Sequence, residues 1–310
     1  MPFRFGRPDI NRYTDRFDVP RAENDFGVTF LGVSTLLLDD GESALLTDGF
    51  FSRPSPGRVL FRRIAPDVER ITAGLTRAGA GVGRLAGVLP VHTHYDHAQD
   101  SAVVAARTGA RLLGGRSAAQ IGRGHGLPAE QIDIVASGDT RRLGRFEVTW
   151  LESTHCPPDR FPGPIAGPVV PPVRVKAYRC GEAWSILLAH DSGRTALIQG
   201  SAGFVPGALS GRHADVAYLG VGQLGRQDEA YLRSYWAQTV QAVGARRVVL
   251  IHWDDFFRPL DKPLRALPYF GDDLDVTMRV LGMLATEQNV ALHFPTLQRE
   301  DPWADRDQRE

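Results

Sequence analysis

The chain is expected to fold as an α/β protein in which two β-sheets are layered between helices, an αββα four-layer sandwich. Three observations predict this. Strand-like and helix-like segments alternate along most of the 310 residues. The strand-like segments fall into two separate runs, each accompanied by helices. A chain of this length with 43% hydrophobic residues can bury one large core, so a single domain is expected.

Taken in order, residues 27–38 and 43–48 are β-rich runs split by Asp39-Asp40-Gly41, a turn signal that reads as a hairpin. Residues 66–78 place Val68, Ile71 and Leu75 at helical spacing, and a glycine-rich break at 79–83 leads into the apolar strand 85–91. Helix 98–108, strand 111–113, helix 117–122 and strand 132–135 follow. A second run of strands covers 146–151, 173–179, 184–190 and 195–199, the last two joined by Asp191-Ser192-Gly193-Arg194. Helix 229–243, strand 246–252, helix 275–287 and strand 290–294 close the pattern. Residues 157–172 carry seven prolines and two glycines, which excludes regular structure and predicts a long loop. Ordered loops of that length are more often binding elements than plain connectors. The charged tail from Arg299 is expected to fray.

Formal net charge is zero with no long basic block, so the electrostatic footprint of a nucleic-acid binder is missing and a small-molecule substrate is expected. Only two cysteines, Cys156 and Cys180, are present and no signal-peptide pattern opens the chain, which points to a reduced, cytoplasmic protein. The longest apolar run, residues 28–38, is interrupted by Thr29, Gly32, Ser34 and Thr35, and falls short of the ~20 residues a membrane span needs.

His92-Thr93-His94-Tyr95-Asp96-His97 is the most informative segment, with three imidazoles and a carboxylate directly after an apolar strand. In extended chain, His92 and His94 point the same way and can grip one ion, while the turn that follows lets Asp96 and His97 face a neighbouring one. The segment resembles the His-x-His-x-Asp-His signature of the metallo-β-lactamase superfamily. That resemblance implies His155 as third ligand of the first ion and His252, ending an apolar strand, as last ligand of the second. Phe30-Leu31-Gly32 and Leu46-Thr47-Asp48-Gly49-Phe50-Phe51 resemble the opening of the branch that holds ascorbate-6-phosphate lactonase and N-acyl-phosphatidylethanolamine phospholipase D. The branch places its aspartate behind the ligands, so Asp48 is either an orienting residue of that kind or a turn-capping one.

One departure stands out. Where the branch has an aspartate bridging two metals, after the strand ending at Gln199, this chain has Gly200-Ser201. A hydroxyl is a poor ligand, so the second site loses a carboxylate unless another replaces it. Asp254, two residues beyond His252, is the candidate replacement if the segment is extended, and otherwise a helix cap or surface residue. The resemblance implies zinc, one or two ions, with manganese or iron as alternatives, and hydrolysis of a small ester, lactone or phosphodiester with Asp96 orienting the nucleophile. An iron-dependent oxidoreductase and a metal-binding protein without catalysis are the competing readings; His94 stands where diiron relatives usually have glutamate, which favours hydrolysis. Phe50, Phe51, Phe256 and Phe257 are either an apolar rim or core.

Overall fold

A computed structural model describes residues 4–304. Its strands are β1 (Gly27–Phe30), β2 (Leu36–Asp39), β3 (Ala44–Thr47), β4 (Leu85–Leu89), β5 (Arg111–Gly114) and β6 (Ile132–Ile134), then β7 (Thr140–Leu143), β8 (Phe146–Ser153), β9 (Ala183–His190), β10 (Thr195–Gln199), β11 (Val216–Gly220), β12 (Arg247–Ile251), β13 (Ala291–His293) and β14 (Arg299–Glu300). The helices are α1 (Pro56–Phe61), α2 (Val68–Ala78), α3 (Tyr95–Ala98), α4 (Ser101–Thr108), α5 (Arg116–Gly124), α6 (Glu229–Trp236) and α7 (Leu274–Glu287). Two seven-stranded sheets result, in the orders β14-β1-β2-β3-β4-β5-β6 and β13-β12-β11-β10-β9-β8-β7.

Alternation of side chains along each strand builds four layers. Leu45, Leu89, Trp150, Ile186 and Ile198 point between the sheets. Their neighbours Leu46 and Val88 pack outward against Ile71 of α2, Val104 of α4 and Ile121 of α5. Leu197, Leu219 and Leu250 face Leu232 and Trp236 of α6 and Leu281 of α7 on the other side. The αββα expectation is met.

Strand direction then collects the functional loops. β3 and β4 run parallel with Thr47 opposite Leu89, so Asp48 and the segment after Leu89 leave the first sheet together. In the second sheet β10, β11 and β12 are parallel, and β8 shares their direction because both it and β10 are antiparallel to β9. The residues after β8, β10 and β12, including His155, Ser201 and His252, therefore emerge at one edge, where open α/β sheets present their sites.

Three expectations change. The run 27–38 is broken at 31–35, where Gly32 and Val33 take φ of 88° and 55°. The strand expected at 173–179 is absent: Val173 makes a single bridge to Ile64, and Val175–Ala177 forms one 3-10 turn, because the prolines before it commit the chain to a loop. The expected fraying begins too early. Arg299–Glu300 pairs with β1, and the Trp303 indole donates to the Thr195 carbonyl at 3.0 Å; the rest of the tail, 305–310, lies outside the described residues. Among the described residues no helix is long and apolar enough to cross a membrane.

Candidate metal centre

The histidine segment follows β4 as a tight loop that becomes α3. Asp48, buried at φ 51°, anchors the loop. Its backbone N–H donates to the Leu89 carbonyl at 3.1 Å, and its Oδ1 accepts from Val91 N at 2.8 Å. Its Oδ2 accepts from the Ser34 hydroxyl at 2.6 Å and from His97 Nδ1 at 2.8 Å. A carboxylate cannot donate, so Nδ1 carries a proton, and in the neutral ring His97 Nε2 keeps a lone pair. Asp48 thus fixes the orientation of the His97 ring through hydrogen bonds.

Two sets of residues that could each hold a metal ion come together. In the first, one ring nitrogen each of His92, His94 and His155 lie within 4.8 Å of one another. His155 Nδ1 donates to the Cys156 carbonyl at 2.6 Å, which turns Nε2 to the cluster. His92 is buried, and neither of its ring nitrogens has a hydrogen-bond partner; His94 Nε2 makes no hydrogen bond either, although Asp159 Oδ1 stands 3.1 Å from it. In the second set, His97 Nε2 lies 3.2 Å from His252 Nε2, and Asp96 Oδ2 lies 3.8 and 3.6 Å from those two atoms. Two ligands on one tetrahedral ion with bonds of ~2.0–2.1 Å sit about 3.3 Å apart, so these edges have the size a bound cation requires. The sets adjoin, with the His92 and His97 rings 3.8 Å apart.

The electrostatics favour a cation. Burial holds His92 well below the usual histidine range, lowers His94, and brings His155 down to about 4, so the first set presents neutral imidazoles. At His97 burial also pulls downward, but Asp48 and Asp96 outweigh it and raise the ring. Burial opposes ionisation of Asp96, yet His97 and His252 hold its carboxyl far below the carboxylate range. Buried polar atoms without partners are costly, and a metal removes that cost for His92 and His94 together. The residues present fit a divalent ion of the zinc type.

No family model matches the chain. A protein named UPF0173 metal-dependent hydrolase from Rhizobium leguminosarum bv. trifolii is 27% identical over 128 residues, covering 41% of this chain and 47% of that protein. One of the same name from Sinorhizobium medicae is 30% identical over 131 residues with the same coverage. The chain spans about half the length of the curated relatives it matches. Among solved structures, a possible metal-dependent hydrolase from Veillonella parvula matches with TM-score 0.54 at 14% identity over 88% of this chain and 97% of that one. CmlA, a diiron β-hydroxylase from Streptomyces venezuelae, matches with TM-score 0.52 at 13% identity over 90% of this chain and 54% of its own. The chain has the metallo-β-lactamase fold.

Within that fold two candidate positions change meaning. Asp254 was the expected substitute for the bridging carboxylate, and the structure commits it elsewhere. Its Oδ2 pairs with Arg53 Nη2 at 2.8 Å, both side chains fully buried, and its Oδ1 accepts from Val33 N at 2.7 Å. Extended chain would point Asp254 to the same side as His252, but His252 has φ 59°, which turns the backbone and removes the two-residue alternation. Ser201 Oγ accepts from Cys156 N at 3.0 Å, so it braces the strand exit beside His155. Two residues escaped the sequence reading. Ser34 is reached only by folding, and Asp159, the one acidic residue of the 157–172 loop, lies with Oδ1 3.1 Å from His94 Nε2. The aromatics divide: Phe50 and Phe51 are core, whereas Phe256 is half-buried with its ring 5.9 Å from His252. His190, paired with Asp40 at 2.8 Å, and His293, paired with Asp18 at 2.5 Å, belong to neither ligand set.

Proposed function

We propose that the chain is a metal-dependent hydrolase of a small ester, lactone or phosphodiester. His92, His94 and His155 hold one ion; Asp96, His97 and His252 hold a second. Bound there, zinc supplies a Lewis acid for the scissile carbonyl or phosphoryl oxygen and brings the pKa of water to about 7. Asp96, kept ionised by His97 and His252, would orient the attacking water through its carboxylate. Asp48 and Ser34 keep the His97 ring fixed so that Nε2 does not rotate away. Phe256 supplies an apolar wall beside His252. The likeness of the opening motifs to the lactonase and phospholipase D branch supports small esters and phosphodiesters as the substrate class. Two free buried cysteines support a cytoplasmic setting.

The observation that carries this reading is His92, whose ring is buried with both nitrogens unpartnered among five other candidate ligands. Elemental analysis of the purified protein, joined to an ester, lactone and phosphodiester panel, tests it. Zinc at one to two equivalents with turnover of one class is expected, and both fall in His92→Ala. Full metal content and full turnover in that variant would sink the reading; redox-active iron with oxygen consumption would replace it by oxidoreduction.

A further inference from the structure

Helix α1 has no buried residue. Val59 is half-buried, whereas Leu60 and Phe61 stand 63% and 72% exposed. A six-residue helix is too short to hold itself and is normally kept by an apolar face packed on the core. Two large apolar side chains turned outward at its end therefore mark a surface that something else covers. The helix is nonetheless anchored. Ile64 and Val173 exchange backbone hydrogen bonds at 2.7 and 3.0 Å, Arg63 donates to the Pro172 carbonyl at 3.2 Å, and Arg174 donates to the Phe61 carbonyl at 3.0 Å. These bonds join α1 to the end of the proline-rich loop, where Val170 is 63% exposed.

The charge of this face is one-sided. The chain as a whole carries 36 basic and 36 acidic residues, yet no Asp or Glu occurs in 49–66 or in 160–181, the two segments that meet at the Ile64–Val173 bridge. Arg58, Arg62, Arg63, Arg174 and Lys176 are all exposed, and none takes part in an ion pair among the described residues. Asp67, the first carboxylate past α1, is held by Arg70 at 3.5 Å.

We propose that this face docks on an anionic lipid surface, with Leu60 and Phe61 entering the headgroup boundary and the surrounding cations meeting lipid phosphates. Apolar side chains ringed by basic ones are what an element lying in a membrane interface requires. Arginine suits the ring, because its aliphatic stem can lie along apolar surface while the guanidinium stays with the phosphates. A second copy of the chain is the wrong partner: a two-fold contact sets the same cations against one another. The proline-rich loop also carries Asp159, 3.1 Å from His94, so docking brings the loop beside the metal centre to the lipid surface.

The test is sedimentation of the purified protein with vesicles of phosphatidylcholine alone or of phosphatidylcholine with phosphatidylglycerol. Wild type should bind only the anionic vesicles, and the binding should weaken as salt rises. Arg58→Gln/Arg62→Gln should lose about fivefold in affinity per charge removed. Leu60→Ser/Phe61→Ser should lose about tenfold or more, with circular dichroism unchanged. Arg246→Gln, 85% exposed just before β12 at the end of the second sheet away from the site, should bind as wild type does. Insertion is read separately: both native cysteines are buried, so Phe61→Cys can be labelled alone with a polarity-sensitive dye, whose emission should shift to the blue on anionic vesicles. No binding by wild type, equal binding to both vesicle types, or full binding by Leu60→Ser/Phe61→Ser would overturn the proposal. Tighter binding of a duplex oligonucleotide that Leu60→Ser/Phe61→Ser leaves intact would make the face a nucleic-acid site and equally overturn it. So would a dimer in analytical ultracentrifugation that Leu60→Ser/Phe61→Ser abolishes.

Discussion

Asp254→Asn distinguishes a structural carboxylate from a ligand. Arg53 and Asp254 are both fully buried; their 2.8 Å contact compensates the charge of Arg53, whose remaining hydrogen bonds run to the neutral Asp255 and Arg258 carbonyls at 3.3 and 2.9 Å. Removing one partner of such a pair costs on the order of 3–5 kcal/mol, because the remaining charge stays in the interior. Asparagine keeps an oxygen for the Val33 N–H, so Asp254→Asn should lose about that amount. Asp254→Ala also orphans Val33 N, adding about 1–3 kcal/mol. Set against a total stability of ~5–15 kcal/mol, alanine endangers folding and asparagine does not.

The assay is urea unfolding of the metal-free protein, with Arg53→Met and the double variant Arg53→Met/Asp254→Asn completing a cycle. The double variant should lose clearly less than the two single losses together, since it buries no unpaired charge. Metal stoichiometry of Asp254→Asn should equal that of wild type, because Val33, whose carbonyl accepts His252 N at 2.6 Å, keeps its support. Stability within ~0.5 kcal/mol of wild type together with loss of one ion would refute the argument and restore Asp254 as a ligand.

Three further outcomes follow from the same contacts. Gly32→Ala should cost more than ~2 kcal/mol in unfolding free energy, since φ is 88° and a Cβ would stand 1.7 Å from Arg53 Nη2; a Tm equal to wild type would contradict this. Asp272 is buried, and burial raises its carboxyl to about 7. Between pH ~4 and ~7 the folded chain keeps a proton that the unfolded chain has lost, so this residue's contribution to stability falls as pH rises through that window. Asp272→Asn should therefore be stabilising at pH 8, by up to a few kcal/mol, and neutral near pH 4; a variant less stable at pH 8 refutes it. Gly124→Ala would set a Cβ 1.9 Å from the Val169 carbonyl oxygen and displace the proline-rich loop from α5. Its relative kcat/KM values across a substrate panel should shift while metal content is kept, and an unchanged ranking counts against a role for the loop in substrate choice.

What the sequence made legible was local. The strand ending at Leu89, the histidine loop after it and the helices that follow are written in periodicity and in one dense motif, and they lie where expected. β11 was missed because Val216–Gly220 is short and wholly buried, with a parallel neighbour on each side, so it shows no alternation to read. The strand expected at 173–179 has β-branched residues but no partner beyond Ile64, and propensity without pairing does not make a strand. Ser34 and Asp159 are separated from the groups they serve by 63 and 65 residues, counted to His97 and His94 from their positions in the chain, and no spacing rule reaches that far.

Asp254 failed for a different reason, and it shows how the centre is built. Val33, Asp48, Arg53 and His252 all take positive φ, of 55°, 51°, 41° and 59°, although none is glycine. Such conformations cost of order 1–3 kcal/mol each and persist where surrounding bonds over-determine them. Here the bonds run in two arms: Asp48 holds His97, while Arg53 holds Asp254, Asp254 holds Val33 N, and the Val33 carbonyl holds His252 N. The two imidazoles of the second set are thereby clamped from opposite sheets at 3.2 Å, a spacing that neither sheet would set alone. The buried ion pair is the bolt of this clamp, so the carboxylate that sequence spacing suggests as a ligand acts one step behind the site, fixing where His252 stands.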